Sequence, residues 1–275
     1  MEAQQMVAAL SPSAAVKELS ASGSRVFRLR EESGDSSVVK VYPTPARERR
    51  ERHALEALTG VKGVPQIVER GANEGMPWIR MSDGGTWNLA TLPKNLDTVR
   101  LAGTVLRAVH DSKANITNLD SGIDTEYVTN HFHSTLERLD RFRRRLNIPA
   151  EFLAKAKTTA NVPQGGPPVP SHTRPYPKNF TVSEDGAVTL VDWAYATLAP
   201  PEWDLSLATW RFSRELGQDT AVALWEGYGA SFPQDRLQPW IAYHASMMML
   251  EAAELRDGRL GDLSYLVDDF ASALG

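Results

Sequence analysis

The sequence contains no cysteine, which removes disulfides, thiolate nucleophiles and cysteine-ligated zinc from consideration. It has no basic surplus either: 30 Lys and Arg stand against 34 Asp and Glu, for a formal net charge of −4. A dedicated nucleic-acid binder usually carries the opposite imbalance, so no nucleic-acid partner is expected. No apolar run approaches the roughly 18 residues that a membrane helix needs, so no membrane partner is expected. Met1 to Leu19 lacks the charged start, apolar stretch and small-residue cleavage site of a secretory leader, and the expected location is cytoplasmic. Aromatic residues are sparse at 8%, whereas 42% of the 275 residues are hydrophobic and 23% are charged, the make-up of an ordinary globular protein. A chain of this length buries a sizeable core without staples and allows one large domain or two lobes.

Along the chain, hydrophobic periodicity changes once. Arg25–Arg30 alternates apolar and polar residues, Ser33–Asp35 is a turn cluster, and Ser37–Tyr42 follows as the second strand of a hairpin ended by Pro43 and Pro45. Arg47–Leu58 has helical spacing at Ala54, Leu55 and Leu58, with Gly60 just past its end. Val64–Glu69 and Trp78–Met81 read as two more short strands, and the paired glycines of Ser82–Gly85 mark a hinge. Helices are then expected at Leu96–Asp111, Thr125–Asn147 and Ala150–Thr159. Pro163–Pro170 reads as a loop. Two strands follow, Asn179–Val182 and Val188–Val191, split by the turn Ser183–Gly186. Three or four helices fill the chain from Asp204 onward, with breaks signalled at Gly217, Pro233 and Gly258.

The informative stretch runs from Ser171 to Trp193. A hairpin brings its ends together, so Asn179 and Asp192 are expected side by side. An amide oxygen beside a carboxylate is a hard-oxygen pair that suits Mg²⁺ shared with phosphates and water. The competing reading is that Asn179 caps a turn and Asp192 caps the next element.

His172-Thr-Arg-Pro-Tyr-Pro-Lys-Asn179 resembles the H-G-D-x-x-x-x-N loop of aminoglycoside phosphotransferases and choline-kinase-like enzymes. Val191-Asp-Trp193 resembles their I-D-W/F segment, and Pro200-Pro-Glu-Trp-Asp-Leu205 is similar to the G-x-P-x-x-D-L-A that follows. Val38-Val-Lys-Val41 is similar to the strand carrying the phosphate-gripping lysine, and Glu51 to Leu58 matches the E-x-x-x-L-x-x-L helix. Val105–His110 resembles the helix ending in Leu-His beneath the loop. The resemblance spans residues 18 to 210 in the family's order.

That resemblance implies an α+β, bilobal protein-kinase-like fold, with a small antiparallel β N-lobe holding one helix and a larger, mainly helical C-lobe. The expected divisions are residues 1–81, a hinge at 82–88, and 89–275. The implied cofactors are ATP and Mg²⁺. Lys40 would grip phosphates, Glu51 would orient Lys40, and Asn179 and Asp192 would hold the metal. Ser22, Gly23 and Ser24 stand where the nucleotide loop belongs, and Met81 and Asp83 where the hinge meets the nucleotide. The implied reaction is phosphate transfer to a hydroxyl of a small molecule or a peptide Ser/Thr, in the manner of natural-product pathway relatives.

The departure that bears on chemistry is at the third loop position. Where the resembled enzymes carry a proton-accepting Asp, this position is Arg174, whose guanidinium cannot act as a base near neutral pH. Two outcomes stay open. The chain is a pseudokinase subunit that scaffolds or activates a partner enzyme, or Arg174 takes a catalytic part by stabilising phosphate charge, with His172, Glu202 or Asp204 as substitutes for the base. Transfer of AMP from an inverted nucleotide is a minor third option. The arginine run Arg138–Arg145 reads first as a solvated helix face neutralised by Glu137 and Asp140, and second as a surface for an acidic protein partner. Trp203, Trp210, Trp225 and Trp240 read as core.

Overall fold

The computed structural model describes residues 3–19, 23–116, 122–159, 163–230, 234–254 and 264–274. Its first element is a helix, α1 (Ala3–Leu10), followed by strands β1 (Ala15–Leu19), β2 (Arg25–Arg30) and β3 (Ser36–Val41). Helix α2 (Pro45–Ala57) and strands β4 (Ile67–Asn73) and β5 (Met76–Ser82) complete an antiparallel five-stranded sheet in the order β1-β2-β3-β5-β4. The period-2 alternation of β3 decides what each face does. Val39 and Val41 join Phe27, Leu29 and Trp78 against Met6 and Val7 of α1. Val38, Tyr42, Ile79 and Met81 pack on the opposite side with Ala54 and Leu55 of α2. Lys40, paired with Ile79, shares that second face and therefore points toward the rest of the molecule.

Two elements here lie outside the sequence expectation. α1 joins the expected helix of this region, and β1 adds a strand whose pairing (Val16 with Leu29, Glu18 with Phe27) is not a property of its own five residues. The expected strand at Val64–Glu69 lies later, at Ile67–Asn73. Pro65 cannot donate to a ladder, and the register shifts between Ile67 and Glu69. α2 starts as its sequence dictates: Pro45 sits in the first turn and Thr44 Oγ1 accepts from Arg47 N at 3.4 Å.

The connection at 83–86 is pinned rather than slack. The Arg28 guanidinium donates to Asp83 Oδ1 at 3.0 Å and to Gly85 O at 2.6 Å, and Gly85 N donates to Asp83 Oδ1 at 2.9 Å. Gly85 has φ +120°, and a Cβ there would stand 2.2 Å from the Val182 carbonyl carbon. The chain then makes β6 (Trp87–Asn88), which pairs with β8 (Phe180–Val182).

The remainder is mainly helical. α3 (Leu96–Asp111) follows its Asn95 cap, α4 (Thr125–Phe142) its Asp124 cap, and α5 (Ala150–Thr159) comes next. α4 ends five residues before the expected Asn147. Ile148 N reaches back to Arg143 O at 2.8 Å and Asn147 turns to φ +54°, so Arg143, Arg144 and Arg145 lie in turns. Strands β7 (Val169–Ser171) and β10 (Thr197–Ala199) pair with each other, while β8 pairs with β9 (Val188–Leu190). The expected loop Pro163–Pro170 thus yields its last two residues to a strand, which tolerates Pro170 because that two-stranded ribbon is all edge. Asn179 belongs to a 3₁₀ turn, Pro177–Asn179, that precedes β8 rather than to the strand itself. Among the described residues, four helices follow: α6 (Pro201–Leu216), α7 (Asp219–Tyr228), α8 (Gln234–Glu254) and α9 (Ser264–Leu274). Gly217 closes α6, whereas Pro233 and Gly258 lie outside the described residues. α3 and α7 cross closely enough that a Cβ on Gly227 would stand 1.8 Å from Arg100 O. Among the described residues, no helix is long and apolar enough to cross a membrane.

Candidate active site

Three charged side chains far apart in sequence meet where the sheet faces the helical region. Lys40 Nζ lies 2.6 Å from Glu51 Oε2 on α2 and 2.6 Å from Asp192 Oδ1 at the end of the β8–β9 hairpin. Glu51 is 1% exposed, and its Oε1 also accepts from Trp193 N at 3.2 Å. Burial works against the charge of Lys40, but the two carboxylates more than offset it and hold its ammonium above the ordinary lysine value. Burial likewise tends to raise the Asp192 carboxyl, yet Lys40 above all, then His172 and Arg174, hold it below the usual range. Asp192 adopts φ +72°, and its side chain makes no cap hydrogen bond, which disposes of the reading in which it only starts the next turn. That left-handed backbone is strained for a non-glycine residue, and it aims the carboxylate back at the sheet.

A second set of bonds sets the loop that leads to Asn179. Asp204 on α6 is fully buried and accepts from His172 N and Thr173 N, both at 2.7 Å. His110, ending α3, adds Nε2 at 3.3 Å from the same carboxylate and meets Tyr228 Oη through Nδ1 at 2.9 Å. The fully buried His172 ring lies 2.9 Å from Val191 O through Nε2 and accepts from Arg174 N at 3.3 Å through Nδ1. Burial lowers the pKa of His172, and this bonding is that of a neutral ring. Asn179 Nδ2 donates to Arg174 O at 2.8 Å, which leaves its amide oxygen for another partner, and Val191 N donates to Asn179 O at 2.8 Å. The hairpin therefore ties the two expected metal-binding residues together through backbone.

Arg174 occupies the mouth of this loop. Its guanidinium lies 3.9 Å from the centroid of the Tyr195 ring, a close cation–π contact. Tyr195 O accepts from Thr173 Oγ1 at 3.0 Å, and Tyr195 Oη meets Arg47 Nη2 at 3.3 Å. Arg47 in turn donates to Gly23 O at 3.0 Å, so a chain of contacts joins the β1–β2 loop to the loop of Arg174. Beside Arg174 opens a cavity of about 200 Å³, walled by the Thr173–Tyr176 segment, Tyr195, Tyr127 of α4, Trp203 of α6 and the Met247–Glu251 stretch of α8.

The remaining expected residues divide. Gly23 takes φ +83° at the loop facing α2, Ser24 is half-buried beside it, and Ser22 lies outside the described residues. Met81 is 6% exposed and packs in the core. The Asp83 carboxylate is turned onto Arg28 and Ser36, where it anchors the connection. Of the remaining base substitutes, Asp204 holds the loop backbone with both oxygens, and Glu202 Oε2 accepts from Gly166 N at 2.9 Å. Sequence reading missed Tyr195, Arg47, Tyr127, Met247 and Glu251. Thr173 carried a faint signal, since it takes φ +65° where the resembled loop has glycine.

Among the described residues, no group of three or more His, Cys, Asp or Glu side chains can hold a metal ion. The amide oxygen of Asn179 and the carboxylate of Asp192 are hard-oxygen donors of the kind that would suit a magnesium ion taking its other ligands from phosphates and water.

A β-sheet with a buried Lys–Glu pair, pinned to a helical region that carries an Asp-ended hairpin, defines the kinase-like phosphotransferase class. Residues 15–240 match the phosphotransferase enzyme family (APH), and the chain belongs to that family. Among solved structures, the GDP complex of a mutant aminoglycoside 2'-phosphotransferase superposes with a TM-score of 0.71 at 16% identity, covering 98% of this chain and 97% of that one. A choline/ethanolamine kinase family protein from Mesorhizobium loti gives 0.66 at 18% identity, covering 98% and 92%. A spectinomycin phosphotransferase in complex with ADP and spectinomycin gives 0.62 at 14%, covering 99% and 94%. At these identities the likeness is one of fold. No curated protein matches the chain.

Proposed function

We propose that this chain binds a magnesium–nucleoside triphosphate, ATP in the first instance, between its sheet and its helical region. Its γ-phosphoryl group then passes to a small molecule held beside Arg174. The observation that carries the reading is Lys40, set 2.6 Å from both Glu51 and Asp192. Lys40 holds phosphate oxygens, Glu51 fixes its position, and Asn179 and Asp192 hold the metal. The ion supplies charge neutralisation across the phosphates. Residues 1–81 form the nucleotide-binding lobe, 82–88 the connection and 89–275 the acceptor-binding lobe. The neighbouring structures carry GDP and ADP, which supports a nucleotide in this cleft. The motif resemblance favours a hydroxyl of a small molecule, or of a peptide Ser/Thr, as acceptor.

The experiment is a melting curve with and without MgATP, followed by an assay for ADP. A ligand that binds only the native state at 100 times its Kd stabilises by about 2.7 kcal/mol, a rise of several degrees. Absence of a shift at saturating MgATP overturns the reading. A second reading, a pseudokinase subunit that binds nucleotide to support a partner enzyme, is favoured by Arg174 standing where a base is needed. It predicts the same shift with no ADP formed by the wild type, and ADP formation by Arg174→Asp.

A further inference from the structure

The acceptor cavity has a size, a polarity and a charge of its own. An apolar cavity of roughly 150 Å³ holds one benzene, so the 200 Å³ here has room for a substituted ring, with a mouth that opens to solvent. Its walls are aromatic and thioether: Tyr127, Tyr176, Tyr195 and Trp203, with Met247 and Met248. Of its charged lining residues, Arg174 belongs to the loop itself, with Arg50 on α2 and Glu251 on α8. Burial pushes His244, also in the lining, down to about 4, so it adds no charge near neutral pH. A cationic guest is disfavoured in such a site, and an anion is favoured.

The groups near Arg174 lead to the same conclusion from the chemistry. An acceptor hydroxyl needs its proton removed, and the titratable groups of the loop itself are committed elsewhere, which leaves Glu251 on α8 as the carboxylate in the cavity wall. His172 uses both ring nitrogens within the loop, Asp204 uses both oxygens on loop amides, and Asp192 is held by Lys40. His244 Nε2 is occupied by Trp203 O at 3.2 Å and Ser206 Oγ at 3.1 Å. A carboxylate arrives already deprotonated and needs no base. It also presents the planar pair of oxygens that a guanidinium binds with two parallel hydrogen bonds.

We propose that the acceptor is a small monocyclic or aromatic carboxylic acid, its ring among the tyrosines and its carboxylate on Arg174, and that this carboxylate is the group phosphorylated. A carboxylate oxygen forms a bond to the γ-phosphorus of ATP as the bond from that phosphorus to the β,γ-bridging oxygen breaks. ADP leaves with the electron pair, no proton changes hands, and the product is an acyl phosphate. Arg174 offsets the repulsion between carboxylate and triphosphate; its charge already acts on Asp192. The proposal rests on the phosphotransferase reading above and replaces its hydroxyl acceptor with a carboxylate.

The probes are phenylacetate, 2-phenylethanol and 2-phenylethylamine, which share a ring and chain and differ in the end group. Calorimetry without nucleotide should show phenylacetate binding at least about tenfold more tightly than either of the others. Arg174→Gln should erase that preference while a cooperative melt shows that the fold persists, and Arg174→Lys should keep part of it. With MgATP, phenylacetate should yield ADP and a product trapped by hydroxylamine as the hydroxamate. Equal or tighter binding of the amine or the alcohol overturns the proposal, as does failure of all three to bind at millimolar concentration. ADP formed with 2-phenylethanol but not with phenylacetate overturns this proposal alone. If none of the three compounds gives ADP, despite Arg174-dependent phenylacetate binding, the phosphotransferase reading falls and this proposal with it.

Discussion

Replacing Lys40 by methionine keeps most of the side-chain volume and removes the one cation between Glu51 and Asp192. Both contacts are 2.6 Å, and Glu51 is 1% exposed, so the change leaves a buried carboxylate whose Oε2 has lost its counter-charge. Removing one partner of a buried pair typically costs about 3–5 kcal/mol, because the other partner stays desolvated. In a protein of this size that corresponds to roughly 10 °C in melting temperature. If the cost is an orphaned charge rather than lost packing, Glu51→Gln placed in the same molecule should recover most of it. The two single changes together should therefore be strongly non-additive. Thermal or urea melts of wild type, Lys40→Met, Glu51→Gln and the double variant close the cycle. Additive effects, or a Lys40→Met variant as stable as wild type, would show that Lys40 is not held as described.

His244 lies 4% exposed, with its pKa pushed to about 4, below the unfolded histidine value. Its contribution is therefore present above pH 6.5 and is lost as pH falls toward 4, amounting to about 3 kcal/mol. Melting temperatures between pH 7 and 4.5 should fall more steeply for wild type than for His244→Gln; parallel slopes would contradict the assignment. Asp204→Asn should cost about 3 kcal/mol in urea melts, because an amide cannot accept from both His172 N and Thr173 N. A stable Asp204→Asn variant would show that the loop is held some other way. Gly227→Ala must push α7 off α3, since its Cβ would stand 1.8 Å from a backbone oxygen. A loss of at least 1–3 kcal/mol is expected on the scale of overpacked cores, and an unchanged melting temperature would refute so close a crossing.

How much of this was legible depended on whether the signal was local. The bounds of α3 follow from Asn95 and the apolar spacing of Val99, Val105, Leu106 and Val109. The β2–β3 hairpin follows from alternation and the Ser33–Asp35 turn. The pairing of Lys40 with Glu51 was legible because each sits in a short motif. β1 was not, because its place at the sheet edge is conferred by β2. Nor was the strand at Val169–Ser171, since two prolines and a glycine pair mask a pairing made 28 residues away with Thr197–Ala199. The cavity beside Arg174 was the least legible part. Tyr127, Tyr195, Trp203 and Met247 come from four separate elements, and no spacing links them. Asp83 was assigned to the nucleotide from its place in the chain, whereas its carboxylate is taken by Arg28, 55 residues away.

The central claim is that Lys40, Asn179 and Asp192 together hold a metal-bridged nucleotide. A calorimetric titration of ATP into the wild-type chain, with and without Mg²⁺, beside Asp192→Ala tests it most directly. The account predicts saturable binding to the wild type that strengthens with Mg²⁺, and in Asp192→Ala the loss of that Mg²⁺ dependence. No binding by the wild type, or binding with the same Mg²⁺ dependence in Asp192→Ala, contradicts it.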